Sequence, residues 1–246
     1  MVRNQKFKLK QIKLKKFNIA LIGDSISKGL YLDGLKPKAL STSAITIVES
    51  SLNVTINNIS SFGQTLSRAY EKGILDDYYA SLKGKNNICV FWIGGNDADY
   101  NWKEVAAAPT ESHDPKTPLP KFESILDDIT KKLCKKAKVI FITLPPIDSK
   151  RYFKNVISKL TDGDAVLKFF NGDITNINRH QECYNTIILK VAQAHSCPVI
   201  DIRTELLLDR SYLNLLADDG IHLSEDGQKK VAELVVSKIK PNININ

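Results

Sequence analysis

Short apolar runs rich in β-branched residues alternate along this chain with longer stretches of helical period, the pattern of crossover units that build a parallel sheet. Asn18-Ile19-Ala20-Leu21-Ile22, ending at Gly23, reads as the first strand and Val54-Thr55-Ile56-Asn57-Asn58-Ile59 as the second. Ile88-Cys89-Val90-Phe91-Trp92-Ile93 is a buried third strand, Lys138-Val139-Ile140-Phe141-Ile142-Thr143-Leu144 the fourth and Pro198-Val199-Ile200-Asp201-Ile202 the fifth. Between them the spacing predicts helices near Ser41 to Ser51, from Gly63-Gln64-Thr65 through about Ala80, from Phe122 to Lys136, from Glu182 to His195, and after Ser224. A polar loop follows the first strand. The stretch 98–120, with Pro109, Pro115, Pro118 and Pro120, reads as a long loop. Segment 147–181 resists assignment, because Gly163, Gly172 and several Asn and Asp residues interrupt any period.

Composition adds that this is one domain. The chain has 246 residues, 43% hydrophobic and 25% charged, enough for one sizeable core and little more. Cys89, Cys134, Cys183 and Cys197 are far apart and lack Cys-x-x-Cys spacing, so neither a metal site nor a disulfide framework is expected. Cys89, inside a strand, reads as a small buried hydrophobe. No apolar stretch approaches the roughly 20 residues needed to span a bilayer. The basic start runs into an apolar segment too short for a signal peptide and without a small-x-small cleavage site, which makes a cytoplasmic location the default expectation. The net charge of +8 is concentrated at the start, where Arg3, Lys6, Lys8, Lys10, Lys13, Lys15 and Lys16 have no acid among them. Residues 1–16 are therefore expected to be a basic arm and 17–246 the folded domain. Such an arm is usually a solvated tail or an edge strand blunted by lysines. It could touch an anionic surface weakly through residues 3–16, without specific nucleic-acid binding.

The chemistry-bearing residues follow the strands. Gly23-Asp24-Ser25 ends the first, Gly63 follows the second, Gly94-Gly95-Asn96-Asp97 ends the third, and Asp219-Gly220-Ile221-His222 lies between the fifth strand and the last helix. In a parallel sheet the carboxyl ends of the strands face one way, so these groups can converge. Each block taken alone has a plainer explanation as a turn or helix cap. Together they supply what acyl transfer needs: Ser25 as nucleophile, His222 as base, Asp219 to fix the imidazole tautomer, and the Ser25 N–H, the Gly63 N–H and the Asn96 amide as oxyanion donors. Asp24 and Asp97 read as local structural support. His113, His180 and His195 have no acid at fixed spacing and read as surface or packing residues. The nucleophile elbow Gly-x-Ser-x-Gly is absent, as are the phosphate- and dinucleotide-binding glycine motifs, so no cofactor is expected.

Gly-Asp-Ser near the amino end, a Gly after the second strand, Gly-x-Asn-Asp after the third and Asp-x-x-His near the carboxyl end resemble the SGNH hydrolases, also called the GDSL esterase/lipase family. The resemblance covers about Phe17 to the end of the last helix. Ile26 stands where the family's first block has Leu, and the second block is clear only at Ser61-Phe62-Gly63. The resemblance implies a flavodoxin-like three-layer α/β/α sandwich with a five-stranded parallel sheet, and metal-free hydrolysis of a small-molecule acyl ester. Ser25, Gly63, Asn96 and His222 match the four naming residues and Asp219 the third triad member. A lysophospholipase or thioesterase needs an apolar acyl channel, for which Tyr100, Trp102, Phe169 and Phe170 are candidates; a sugar O-acetylesterase needs only a small acyl pocket with a polar rim. Acyl transfer to a sugar uses the same residues. A non-catalytic carbohydrate- or peptide-binding module is the reading from another class, with a broken triad as its mark.

Overall fold

A computed structural model describes residues 17–243; the basic arm expected at 1–16 lies outside them. In chain order the elements are β1 (Asn18–Gly23), a hairpin of β2 (Leu30–Asp33) and β3 (Lys36–Ala39), α1 (Ala44–Leu52), β4 (Ile56–Asn58), α2 (Leu66–Glu71), α3 (Ile74–Ser81) and β5 (Asn87–Trp92). Then come α4 (Trp102–Ala107), α5 (Leu119–Leu133), β6 (Lys138–Ile142), α6 (Ser149–Tyr152), a π-helical turn over Phe153–Ile157, α7 (Ser158–Leu160), α8 (Gly163–Phe169) and α9 (Asn176–Ala194). The chain closes with β7 (Val199–Ile200), α10 (Arg203–Leu208), a 3₁₀ turn over Tyr212–Leu215 and α11 (Glu225–Ile243).

The main sheet is parallel throughout, in the order β4-β1-β5-β6-β7. Strand alternation splits its side chains between two cores. Ala20, Ile22, Cys89 and Phe91 face one cluster with Leu66 of α2, Leu75 of α3, Phe122 and Leu126 of α5 and Tyr184 and Ile188 of α9. Ile19, Leu21, Val90 and Trp92 face the other, with Val48 of α1 and Val231, Ala232 and Val235 of α11. The result is a flavodoxin-like three-layer α/β/α sandwich. On α5, Phe122, Ile125, Leu126, Ile129 and Leu133 form one buried stripe, each side chain contributing about 1.5–3 kcal/mol of burial. Among the described residues no helix is long and apolar enough to cross a membrane.

The sequence reading departs from the structure in the connections. The polar loop after β1 contains the hairpin, with Leu30 opposite Ala39 and Asp33 opposite Lys36. The helix expected through Ala80 is two helices, broken at Lys72 and Gly73, where Gly73 has φ +72°. The stretch 98–120 carries α4 and the start of α5, and segment 147–181 is largely helical. Those short helices are stabilised by packing rather than by period: Trp102, Val105, Ile147, Tyr152, Val156, Val166 and Ile177 form a third cluster of their own. Propensity over so few residues carries little signal, and tertiary burial supplies the rest.

The chain runs from β1 outward to β4 and then back past β1 to β5, so the strand order reverses at β1. Ligands of open α/β sheets bind at the carboxyl ends of the strands at such a point. The turn after β1 carries Ser25 and the loop after β5 carries Asn96.

Candidate active site

The turn after β1 is held from several sides. The Ser25 carbonyl accepts from the Leu30 and Lys28 N–H groups at 2.9 and 3.2 Å. The Asp24 carboxylate accepts from the Ile26 N–H at 2.9 Å. Gln64 Nε2 donates to the Gly23 carbonyl at 2.8 Å, which ties the loop after β4 to this turn. Gln228 of α11 donates to the Ile26 carbonyl at 3.0 Å and accepts from the Ala44 N–H at 2.8 Å. Ser25 is thereby fixed to both helical layers.

His222 meets Ser25 from the other end of the sequence. Its Nε2 lies 2.8 Å from Ser25 Oγ, and its Nδ1 lies 2.8 Å from Asp219 Oδ2. A carboxylate only accepts, so Nδ1 carries the proton and Nε2 receives the serine hydroxyl. All three side chains are buried, His222 at 4% exposure and Asp219 at 2%. Asp219 Oδ1 accepts from the Ile221 and His222 N–H groups at 2.9 Å each, and Oδ2 also accepts from the Leu32 N–H of β2 at 2.7 Å. Burial pushes the Asp219 carboxyl pKa up, but the bond to and charge of His222, with these N–H groups, outweigh it and hold the pKa below its ordinary value. The tight turn between Asp219 and His222 depends on Gly220. It has φ +77°, and a Cβ there would lie 2.6 Å from the Asp148 carbonyl oxygen.

Asn96 Nδ2 donates to the Gln64 carbonyl at 3.1 Å and, at a long 3.4 Å, to Asp24 Oδ2. Asp24 and Asp97 are almost wholly buried, and burial pushes each carboxyl up to about 6 against the N–H groups that favour its charge. Asp97 accepts from the Leu66 N–H with both oxygens, at 2.9 and 3.0 Å, capping the start of α2. Both aspartates thus sit in the local structural positions expected of them.

Ser25, Asn96 and His222 line one crevice of about 60 Å³, and Asp219 stands behind His222. Gly63 lies beside Gln64 in the loop after β4 with φ +66° and is not among the residues lining the crevice. The N–H groups of Ser25 and Gly63 have no hydrogen-bond partner among the described residues. Tyr100 and Trp102 line the crevice as expected, while Phe169 and Phe170 pack behind Tyr100 with ring centroids 5.5 and 6.3 Å away. Sequence reasoning missed the Leu32 N–H, which no motif marks, and Asp99, Tyr152 and His180, which also line the crevice. His180 had a signal: the buried stripe Tyr184, Gln181 and Ile177 continues α9 backwards past the expected start at Glu182. Among the described residues there is no group of three or more His, Cys, Asp or Glu that could hold a metal ion.

With this geometry in place, the comparisons are specific. Residues 21–230 match the model of the GDSL-like Lipase/Acylhydrolase family. The chain belongs to this family. It is thereby a member of a family of ester-hydrolysing enzymes. A GDSL esterase/lipase from Oryza sativa subsp. japonica, WDL1, is 23% identical over 63% of this chain and 54% of its own length, so this GDSL-like chain spans about half of that relative. Among solved structures, the lipase/acylhydrolase from Enterococcus faecalis is 22% identical with a TM-score of 0.62, covering 92% of this chain and 96% of that one. A catalytic mutant of Axe2, an acetylxylan esterase from Geobacillus stearothermophilus, is 19% identical with a TM-score of 0.63, covering 93% and 96%. Three such Axe2 mutants are similar to this GDSL-like chain, replacing a serine, an aspartate and a histidine by alanine, with the aspartate three positions before the histidine.

Proposed function

We propose that this chain is a serine esterase that cleaves a small-molecule carboxylic ester through an acyl-enzyme on Ser25. The observation that carries the proposal is the buried line Asp219, His222, Ser25, with 2.8 Å at each step, opening into the crevice. Support also comes from Axe2, whose catalytic mutants replace the same three residue types, with the same three-residue step from aspartate to histidine.

Ser25 Oγ attacks the ester carbonyl carbon while His222 Nε2 takes its proton. Asp219 holds the Nδ1–H tautomer and stabilises the imidazolium that forms. The carbonyl oxygen becomes negative and is met by donors. Ser25 offers a free N–H at the crevice and Asn96 exchanges its long bond to Asp24 for the oxyanion, while the N–H of Gly63, which stands outside the residues lining the crevice, is the third donor the motif implies. Breaking the C–O bond releases the alcohol, which takes the proton back from His222. Water then repeats the sequence on the acyl-enzyme, restoring Ser25.

Fluorophosphonate labelling of the purified protein, with digestion and mass spectrometry, tests this directly. The expected result is an adduct on Ser25 and loss of p-nitrophenyl acetate hydrolysis in Ser25→Ala. Hydrolysis undiminished in Ser25→Ala would overturn the reading.

A further inference from the structure

The crevice has more polar wall than acyl transfer uses. His180 Nδ1 lies 2.9 Å from the Ala98 carbonyl, which only accepts, so Nδ1 carries the proton and Nε2 of the neutral ring is an acceptor. Burial holds the His180 pKa below the ordinary imidazole value, with the Ala98 carbonyl and Asp99 opposing it, which keeps the ring neutral at pH 7. Nε2 has no partner among the described residues, although the side chain lines the crevice. Beside it, Asp99 accepts from Tyr152 Oη at 3.0 Å and from Lys116 Nζ at 2.6 Å, and a carboxylate has lone pairs to spare. Trp102 and Tyr152 have spent their donors, Trp102 Nε1 on Tyr152 and Tyr152 Oη on Asp99.

The free Nε2 of His180 and the remaining lone pairs of Asp99 are therefore acceptors, and a complementary substrate brings hydroxyl donors. Tyr100, its ring centroid 5.1 Å from that of His180 at 30° between planes, packs on the imidazole and holds its orientation. At about 60 Å³ the space is small beside the 300–1,000 Å³ of sites that bury a drug-sized ligand. That favours a short acyl group over a fatty chain.

We propose that Asp99, Tyr100 and His180 form an alcohol-side subsite that selects an O-acetylated sugar, with His180 Nε2 accepting a hydrogen bond from a hydroxyl near the ester. The proposal rests on the acyl-enzyme reading above and adds the substrate class and the residue that recognises it.

The test compares two esters: a methyl mono-O-acetyl-xylopyranoside with its other hydroxyls free, and the same ester with those hydroxyls methylated. In the unmodified protein kcat/KM should favour the free-hydroxyl ester by about 10-fold or more, the usual penalty for leaving a substrate-binding polar group unpaired. His180→Leu should bring that ratio close to one, and His180→Gln, whose Oε1 accepts near the place of Nε2, should recover part of it. Fluorophosphonate labelling of Ser25 in each variant checks that the site is assembled. An unmodified protein that is labelled yet hydrolyses both esters equally, or prefers a lauroyl ester, overturns the subsite alone, as does an unchanged ratio in a labelled His180→Leu. Absence of any adduct on Ser25 overturns the esterase reading and the subsite with it.

Discussion

Asp219→Asn changes one atom and reverses one hydrogen-bonding role. Asp219 is an acceptor four times over: from the Ile221 and His222 backbone at Oδ1, and from Leu32 N–H and His222 Nδ1–H at Oδ2. An asparagine keeps one oxygen and puts an NH₂ in place of the other. If its oxygen stays with the turn, the NH₂ faces Leu32 N–H and His222 Nδ1. The imidazole must then accept at Nδ1 and carry its proton at Nε2, where it can no longer receive the hydrogen of Ser25. A wrong tautomer in a triad of this kind costs about 10⁴-fold in kcat. The orphaned Leu32 N–H adds about 1–3 kcal/mol of lost stability. Steady-state hydrolysis of p-nitrophenyl acetate and a urea titration read the two effects separately. The loss in kcat should be large but smaller than that of Ser25→Ala. A variant within 10-fold of the parent in kcat, with the fold intact, would refute the claim that Asp219 sets the tautomer.

Other consequences are equally open to measurement. Asn96→Ala removes an oxyanion donor and should lower kcat by about 10²- to 10³-fold with little change in KM; a rise in KM alone would point to a ground-state role. Gly220→Ala adds a Cβ 2.6 Å from the Asp148 carbonyl oxygen at φ +77°. The left-handed backbone and the overlap should together cost about 2–5 kcal/mol in urea unfolding and depress activity with it; unchanged stability would contradict the turn as described. Asp24 and Asp97, pushed from 3.8 up to about 6 by burial, hold protons in the folded state that the unfolded chain has released. Stability should therefore fall as pH rises from about 4.5 to 6.5, by about 2 kcal/mol for each group. Asp219, held below its ordinary value, works in the opposite sense, its contribution being lost only as pH falls below about 4. Urea midpoints that rise between pH 4.5 and 6.5 would contradict this account.

The sequence by itself determined the sheet and the residues around its carboxyl edge. Continuous apolar runs at Ile19 to Ile22, Ile88 to Ile93 and Val139 to Ile142, separated by helical stretches, point to a parallel sheet buried on both faces, and such a sheet sends Ser25 and Asn96 to the same edge. The spacing of Asp219 and His222 is local chemistry, legible as a turn. The hairpin that donates Leu32 N–H to Asp219 was not legible, because Leu30-Tyr31-Leu32-Asp33 pairs with the charged and exposed Lys36 to Lys38 and shows no period of its own. The helices of 147–181 were hidden for a related reason. Those before α9 are too short for their period to show, and they are held through Tyr152, Val156 and Val166, which pack with Trp102 and Val105 from across the chain. Only the tertiary structure brought His180 and Asp99 to the mouth of the triad. Their partners are a backbone carbonyl 82 residues away for His180, and Tyr152, 53 residues away, for Asp99. The triad candidates lie in short blocks that the strands aim, whereas Asp99 lies on a packed connection with no periodic signature and His180 on the opening turns of α9.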